Sequence, residues 1–549
     1  MPGNRTRLWV WLAIFCLGCA TLLSAFYANH QQSANADDIV YPYLFSHYTR
    51  SDIVLPGQHS NLVKFPLFIV QSLLPYNYLS FSIVNIGLFV ISIGLWAFLL
   101  FIVIKQRRDL LIISVSLMII LVSSTDFANN FVGTTIRNIE YPISLFFYIV
   151  VAQLYVHRVK RILLLVAGGL FAFVCAGDSF FVYGAGLAIL ITLLAPLVSQ
   201  LRNRRISAST LQAPLFVIVA LIASVIIRKA ISTLDIVNYY TGSFLSPHLL
   251  PLSHILPSLR VATLQFLDLC GADIFSGYAK SISPFTALSF FIVLCSLVGL
   301  AMLSVSWLRH GIRKCEQDIP PWRQIVEWTL ANTFWLVICL YIASDLVVTN
   351  NHGHFVSAEQ ERYITFLPLL LCIGLVHILR YAHSRTPKIY KNLGYAPIII
   401  VAFLLVSLPI IRSSFKMNNA FLADAQWTAN TAQRHNVQVI ASGYWYGAAT
   451  SFWAHNSLRF VSIAGCNAAA PPFNNRRSWY VPSTKTMHSA LVIDRSGADK
   501  PYWTCSNERL KQIYGSPTQI ITGRGPAQPV MWIYDYDVRS RIRDFTASP

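Results

Sequence analysis

Apolar residues along this chain fall into about eleven separate runs of roughly 18–25 residues, each long enough to cross a bilayer as a helix. The pattern therefore predicts a mainly α, polytopic membrane protein with about eleven transmembrane helices. Only a poor cleavage site, Ser33-Ala34-Asn35-Ala36, follows the first run, so we expect that run to remain as a helix. The predicted helices lie near residues 8–28, 78–104, 109–124, 141–157, 162–178, 180–200, 213–230, 284–308, 325–348, 362–380 and 395–412.

The pattern changes after the last apolar run. Short β-type runs alternate there with helical or turn-rich stretches, which predicts a small α/β domain. We therefore expect two domains, a transmembrane module over residues 1–412 and an extracytoplasmic α/β domain over residues 413–549. The four β-type runs cover residues 437–441, 458–462, 490–494 and 530–534.

An aromatic segment of this tail admits two readings. Tyr444-Trp445-Tyr446-Gly447 reads as a turn, and Trp453 follows it. Aromatic side chains of this kind form a core and a membrane-interface belt, or they form a stacking surface for a sugar or a lipid-linked substrate. The sequence leaves both readings open.

Composition and charge exclude an ordinary soluble enzyme. The chain is 55% hydrophobic and only 12% charged, with a mean hydropathy of +0.53. Its net charge is +19, and lysine and arginine concentrate in the loops of one side, as at Lys105, Arg107 and Arg108. The positive-inside rule then predicts an inner (plasma) membrane protein with a cytoplasmic N-terminus and an extracytoplasmic tail. The excess of basic residues is explained by the orientation of the protein in the membrane. Nucleic acid is therefore not an expected partner.

Acidic residues mark the loops that this topology places outside. Asp37 and Asp38 precede an aromatic stretch that predicts an interfacial helix. Asp178 lies between two apolar helices, where a charge is costly and usually has a partner or a function. The fourth outside loop, about residues 231–283, could cover a substrate groove. Further polar residues of these loops are Asp126, Arg137, Glu140, Asp268, Asp273, Tyr278, Lys280, Arg362 and Tyr363.

This arrangement resembles the GT-C superfamily of membrane glycosyltransferases, which take a sugar from a polyprenyl-phosphate carrier on the extracytoplasmic side. The points of similarity are the acid pair Asp37-Asp38, the acid in Gly177-Asp178-Ser179, and Arg362-Tyr363 at the start of a late helix. A small soluble domain after the last helix also fits. The chain differs in having Asp-Asp in place of an Asp-Glu pair in its first outside loop.

The resemblance implies a reaction and a set of roles. An inverting transfer needs a base that takes a proton from the acceptor hydroxyl and a cation that holds the departing phosphate. Asp38 is the expected base, with Asp37 as the alternate, and the acceptor is a cell-envelope glycan, lipid or protein. Guanidinium suits phosphate, which favours Arg362 with Tyr363, and then Arg137, for carrier binding. The residues expected to orient the substrates or the arginines are Asp126, Glu140 and Asp178.

Several alternatives stay open at this point. His352 and His354 are weak candidates for a metal site, so metal dependence is undecided, and no other cofactor is expected. Cys466 and Cys505 are the two cysteines of the tail, and an oxidising compartment would permit a disulfide between them. Rival functions are a flippase for lipid-linked sugars, an O-antigen polymerase or ligase, and a sensor or scaffold whose tail binds a ligand.

Overall fold

The computed structural model divides the chain into two compact units. The helical unit comprises residues 1–29, 85–228 and 246–415, and the sheet unit comprises residues 30–84, 229–245 and 416–549. The structure describes residues 3–31, 36–45, 52–56, 61–75, 78–104, 107–133, 137–157, 159–202, 208–240, 249–275, 284–312, 321–344, 363–385, 419–454, 457–463, 475–484, 487–493, 505–523 and 528–542.

Helices make up 76% of the described residues, which confirms the mainly α fold class. In chain order they are α1 (Gly3–Gln31), α2 (Ala36–Phe45), α3 (Phe65–Ser72), α4 (Tyr78–Val103), α5 (Arg107–Ser123), α6 (Thr125–Phe131), α7 (Glu140–Val156), α8 (Arg161–Gly177), α9 (Ala188–Arg202), α10 (Ala208–Thr233), α11 (Leu252–Leu269), α12 (Pro284–Ile312), α13 (Trp322–Ala343), α14 (Leu367–Arg385), α15 (Asn419–Arg434), α16 (Tyr444–Trp453) and α17 (Asn507–Tyr514). A π-helical turn, Val182–Leu187, leads into α9. The strands are β1 (Ile53–Pro56), β2 (Asn238–Tyr240), β3 (Val437–Ser442), β4 (Arg459–Ser462), β5 (Asn475–Arg476), β6 (His488–Ile493), β7 (Gln519–Thr522) and β8 (Val530–Tyr534).

The chain is a multi-pass membrane protein. Among the described residues, six helices are long and apolar enough to cross a bilayer. Four other predicted spans correspond to the shorter apolar helices α5, α7, α8 and α14. The eleventh, residues 395–412, lies outside the described residues, so the count of eleven spans stays a prediction. The six long segments are Val10–Asn29, Leu79–Val103, Val182–Arg202, Thr210–Thr233, Thr286–Gly311 and Trp322–Ala343.

Helix α13 is largely buried within the helical unit. Its Trp328 and Thr329 are fully buried. Asn332 donates a hydrogen bond of 3.0 Å to Thr192 on α9, and Thr333 pairs with the hydroxyl of Tyr148 on α7 at 3.2 Å. Polar side chains on this helix are thus paired with neighbouring helices, as a low-dielectric interior requires.

Helices α12 and α14 cross at a pair of glycines. A Cβ atom added to Gly299 would lie 1.9 Å from the carbonyl oxygen of Gly374, and one added to Gly374 would lie 2.1 Å from that of Ser296. The two backbones are therefore in direct contact, which is typical of small residues at helix interfaces in membranes.

The tail builds a five-stranded sheet in the order β4-β3-β6-β8-β7. Strand β3 is parallel to β4 and β6, whereas β8 is antiparallel to β6 and β7. All four predicted β-type runs are strands of this sheet. The predicted turn at Tyr444–Gly447 was wrong, because these residues begin helix α16. Parallel strands β3 and β4 need a crossover connection, and α16 supplies it.

A second, three-stranded sheet joins distant parts of the chain. Strand β1 pairs in parallel with β2 and antiparallel with β5. These strands come from the first outside loop, the fourth outside loop and the tail of the predicted topology. Because hydrogen-bonded strands must share one side of a membrane, the pairing places the three segments together. The sheet unit thus includes two loop segments besides the tail that sequence analysis delimited at residue 413.

Candidate functional site

Arg137 and Asp178 form a buried ion pair where two loops of the helical unit meet. Arg137 precedes α7, and Asp178 directly follows α8. The Nε of Arg137 donates to Oδ2 of Asp178 at 2.5 Å, and Nη2 donates to Oδ1 at 3.2 Å. The two side chains are only 5% and 6% exposed. The buried acid that sequence analysis singled out therefore has a bidentate partner, and the pair is neutral as a whole.

The turn that carries Arg137 is held by Asn138. The amide nitrogen of this fully buried side chain donates to the carbonyls of Phe131 and Gly133, at 3.3 and 2.7 Å. The carboxylate of Glu140 accepts the backbone N–H of Asn138 at 2.9 Å. Gly133 adopts φ 124°, which favours glycine. These bonds fix the path of the loop and so the position of Arg137.

Two aromatic rings enclose the guanidinium of Arg137. Its central carbon lies 5.0 Å from the ring centroid of Phe180 and 4.6 Å from that of Tyr363. Both distances are within the range of cation–π attraction. Since Tyr363 directly follows Arg362 in the sequence, the ion pair also holds the segment that leads into α14. Helix α14 begins only at Leu367, so Tyr363 precedes the helix instead of opening it.

The ion pair keeps its charges. Burial alone lowers the pKa of the Arg137 guanidinium, but the charge and hydrogen bonds of Asp178 outweigh burial and raise that pKa above its ordinary value. Arginine is therefore fully charged here at any physiological pH. Its charge is neutralised by Asp178, which leaves Arg137 poorly suited to binding an additional anion by itself.

A small cavity of about 20 Å³ lies beside this cluster. Tyr141, Phe180 and Phe366 line it together with Trp96 on α4. The hydroxyl of Tyr141 and the indole N–H of Trp96 are buried and have no hydrogen-bond partner among the described residues. A space of this size holds about one water molecule and no sugar ring.

The predicted site residues divide into two groups. Arg137, Asp178 and Tyr363 are in contact, and Glu140 belongs to the same turn. The remaining predictions are not placed with them. Asp37 and Asp38 belong to α2 in the sheet unit and Asp126 belongs to α6, but their side chains lie outside the described structure, as do Arg362, His352 and His354. Within the described ranges, no group of three His, Cys, Asp or Glu residues could hold a metal ion.

The first outside loop does form the predicted helix, α2. Its Val40, Tyr41 and Leu44 are buried inside the sheet unit, in a cluster with Phe68 and Phe460. The apolar face that predicted an interfacial helix is thus covered by protein. This packing fixes the orientation of the helix whose first turn carries Asp37 and Asp38.

The aromatic segment of the tail is at least partly core. Tyr446 is fully buried, and its hydroxyl donates to the carbonyl of Asp424 at 3.0 Å. A Cβ added to Gly447 would lie 1.9 Å from the ring of Phe460. For Tyr446, the core reading of the two that the sequence left open is therefore correct.

Sequence analysis missed a network that joins the first outside loop to the tail. Asp52 accepts hydrogen bonds from Arg476 at 2.6 Å and from the backbone and side chain of Ser478, each at 2.7 Å. Burial raises the pKa of Asp52, but the bonds from Ser478 and Arg476 bring it below its ordinary value. Asp52 and Arg476 are 424 positions apart in sequence, so no local pattern indicates their contact.

Cys505 forms a disulfide bond. The other half of this bond lies outside the described residues, so its pairing with Cys466 stays a prediction.

Comparison with known proteins adds no relative from which a function could be carried over. No protein-family model matches the sequence, and neither a curated protein nor a solved structure shows significant similarity to it.

Proposed function

We propose that this protein is an integral-membrane glycosyltransferase of the GT-C type. It moves a sugar from a polyprenyl-phosphate carrier to a cell-envelope glycan, lipid or protein on the extracytoplasmic side, with inversion at the anomeric carbon. The observation that supports this most is the contact of Arg137, Asp178 and Tyr363. Three separate segments that the sequence marked for this chemistry meet there in a multi-pass membrane protein.

In this proposal the two arginines have different tasks. Arg362 binds the phosphate of the carrier, because a guanidinium can hold two phosphate oxygens at once. Arg137 is a positioning residue, since its charge is already neutralised by Asp178 and its guanidinium stacks on Tyr363. Removing Arg137 should therefore disturb the segment that carries Arg362 more than it weakens any direct contact with phosphate.

The acid pair of α2 supplies the base. Asp38, or Asp37 as the alternate, takes the proton of the acceptor hydroxyl while its oxygen attacks the anomeric carbon. The bond from that carbon to the carrier phosphate breaks, and the phosphate leaves with the electron pair. The buried apolar side chains of α2 support this role, because they hold the acid-bearing turn on a fixed helix.

The extracytoplasmic placement of the sheet unit has two supports. Cys505 is in a disulfide bond, which is typical of oxidising compartments. The pairing of β1 with β2 and β5 requires that the first loop, the fourth loop and the tail share one side. With the positive-inside rule, both favour the inner (plasma) membrane with a cytoplasmic N-terminus.

The test is sugar transfer by membranes that contain wild type or one of three variants. Asp38→Asn keeps the size of the side chain but removes the base, so we expect transfer to fall about 10²-fold or more. Asp37→Asn identifies the alternate. Asp235→Asn is the matched control, because Asp235 is an exposed acid of the same unit, and it should leave transfer unchanged. Full activity in both Asp37→Asn and Asp38→Asn would show that the base assignment is wrong.

A lipid-linked-sugar flippase is the second candidate. It is favoured by a cluster in the helical unit, where Arg380 donates to Asp109 and to Glu327, each at 2.9 Å. These residues lie on α14, α5 and α13. Charged groups among membrane helices often mark a transport path. A flippase would move the carrier across sealed vesicles without consuming it.

A further inference from the structure

Helix α3 has its polar side buried and its apolar side exposed. Lys64, Phe68 and Gln71 are spaced by four and three residues, which places them on one helical face, and Asn61 lies just before the first turn. Their exposed fractions are 3%, 2%, 0% and 1%. Lys64 ends the short 3-10 turn Leu62–Lys64 that leads into α3, and Asn61 is the N-cap of this turn. Three of the four buried residues are therefore polar.

The opposite face of α3 is apolar and open. Ile69, Val70 and Leu73 are 51%, 56% and 80% exposed, and Leu79 and Ile83 in the first turns of α4 are 67% and 62% exposed. A helix surrounded by water places its apolar face inward. Helix α4, the next helix along the chain, is one of the apolar segments long enough to span a membrane, so we expect the exposed apolar face of α3 to contact lipid.

Two of these three buried polar side chains carry unpaired amide groups. Neither the oxygen nor the nitrogen of the Asn61 and Gln71 amides has a hydrogen-bond partner among the described residues. Leaving such groups unpaired is energetically costly, so buried amide groups in native proteins nearly always have hydrogen-bond partners. Four unsatisfied amide atoms at these two positions indicate a polar ligand that supplies both donors and acceptors.

The same face looks toward the helix that carries the acid pair. Phe45 of α2 contacts Phe65 at 4.9 Å between ring centroids, and Tyr41 of α2 contacts Phe68 at 4.9 Å. The two helices therefore run antiparallel. Continuing this register by one turn brings the backbone of Asp37 and Asp38 level with Gln71.

We infer that the buried face of α3 binds the sugar hydroxyls of a polyprenyl-phosphate sugar. This inference rests on the proposed function and assigns the sugar site to Gln71 and Asn61. Amide side chains both donate to and accept from hydroxyl groups, as sugar recognition requires. The outer face of α3, in contact with lipid, keeps the site at the depth of the carrier's head group.

The test compares two ligands on the full-length protein in lipid nanodiscs. The probes are a prenyl phosphate and the same prenyl phosphate bearing the monosaccharide that wild type transfers. Gln71→Leu should weaken binding of the sugar-bearing probe about tenfold to a hundredfold and change binding of the sugar-free probe by less than about twofold. Ser72→Ala is the matched control, because its hydroxyl bonds only the Ile69 carbonyl. Asn61 is less suitable, since its φ of 52° disfavours most replacements.

Thermal stability of the ligand-free protein is the second readout. Removing an unpaired buried amide should raise the melting temperature of Gln71→Leu. A lower melting temperature, or an equal loss of binding affinity for both probes, would mean that the Gln71 amide has a structural role and would overturn the sugar site. Unchanged binding of both probes would also overturn it. If wild type itself neither binds nor transfers any prenyl-phosphate sugar, the proposed function fails first, and the sugar assignment of α3 fails with it.

Discussion

At the scale of single residues, the Arg137–Asp178 pair determines how substitutions at these two positions affect the stability of the helical unit. Both side chains are almost completely buried and satisfy each other in bidentate geometry. Removing one partner leaves an uncompensated charge in a low-dielectric site, whereas removing both leaves none. The energetic coupling between the two should therefore be large.

We predict that Arg137→Met and Asp178→Asn are each destabilising by about 3–5 kcal/mol, and that the double variant is less destabilised than either single one. Thermal unfolding of the four proteins in nanodiscs measures this cycle. Arg260→Met removes an exposed arginine of the same unit and should be nearly neutral. Additive losses in the double variant would contradict a coupled pair.

The sequence could indicate some of these residues but not their contacts. Asp178 stands out because an acid between two apolar helices needs a partner. Its partner Arg137 lies 41 positions away, and the choice among several arginines depends on how α7, α8 and the segment before α14 pack. Gln71 could not be selected from sequence, because a single glutamine in an apolar stretch does not reveal which face becomes buried.

At the scale of elements, close helix packing depends on two glycines. The backbones of α12 and α14 touch at Gly299 and Gly374, where a Cβ has no room. By contrast, a Cβ added to Gly94 on α4 meets nothing within 4 Å. The two kinds of glycine should respond in opposite ways to alanine.

We predict that Gly374→Ala lowers stability by about 1–3 kcal/mol or more, because the helices must separate to admit a methyl group. Gly94→Ala should be neutral or slightly stabilising, since alanine favours helix and the space is open. Melting temperatures of the two variants in the same detergent test this. Equal effects would show that the crossing is not limited by backbone contact.

Helices and strands with strong patterns could be predicted, whereas elements defined by pairing could not. Long apolar runs correspond to the helices of the helical unit, and the four β-type runs are strands. Tyr444–Gly447 was misread because aromatic residues and a glycine also occur in turns, and only the parallel pairing of β3 with β4 demands a helix there. Strands β1, β2 and β5 have two to four residues each, too short for a periodic signal.

At the scale of the whole molecule, the sheet unit consists of three segments that are far apart in the sequence. Hydropathy alone predicts a single domain boundary near residue 412. The sheet unit, however, also contains residues 30–84 and 229–245, which are joined to the tail by β1, β2 and the Asp52–Arg476 network. Such pairings between distant segments leave no local trace in the sequence. They bring the helix that bears Asp37 and Asp38 into one unit with the tail.

The most direct measurement is the fate of a radiolabelled polyprenyl-phosphate sugar in sealed liposomes that contain the purified protein and envelope acceptors. We predict that label leaves the carrier and appears in a glycan, lipid or protein product, and that Asp38→Asn abolishes this transfer. Label that crosses the bilayer while still attached to its carrier, with no product formed by wild type, would contradict the glycosyltransferase and favour the flippase.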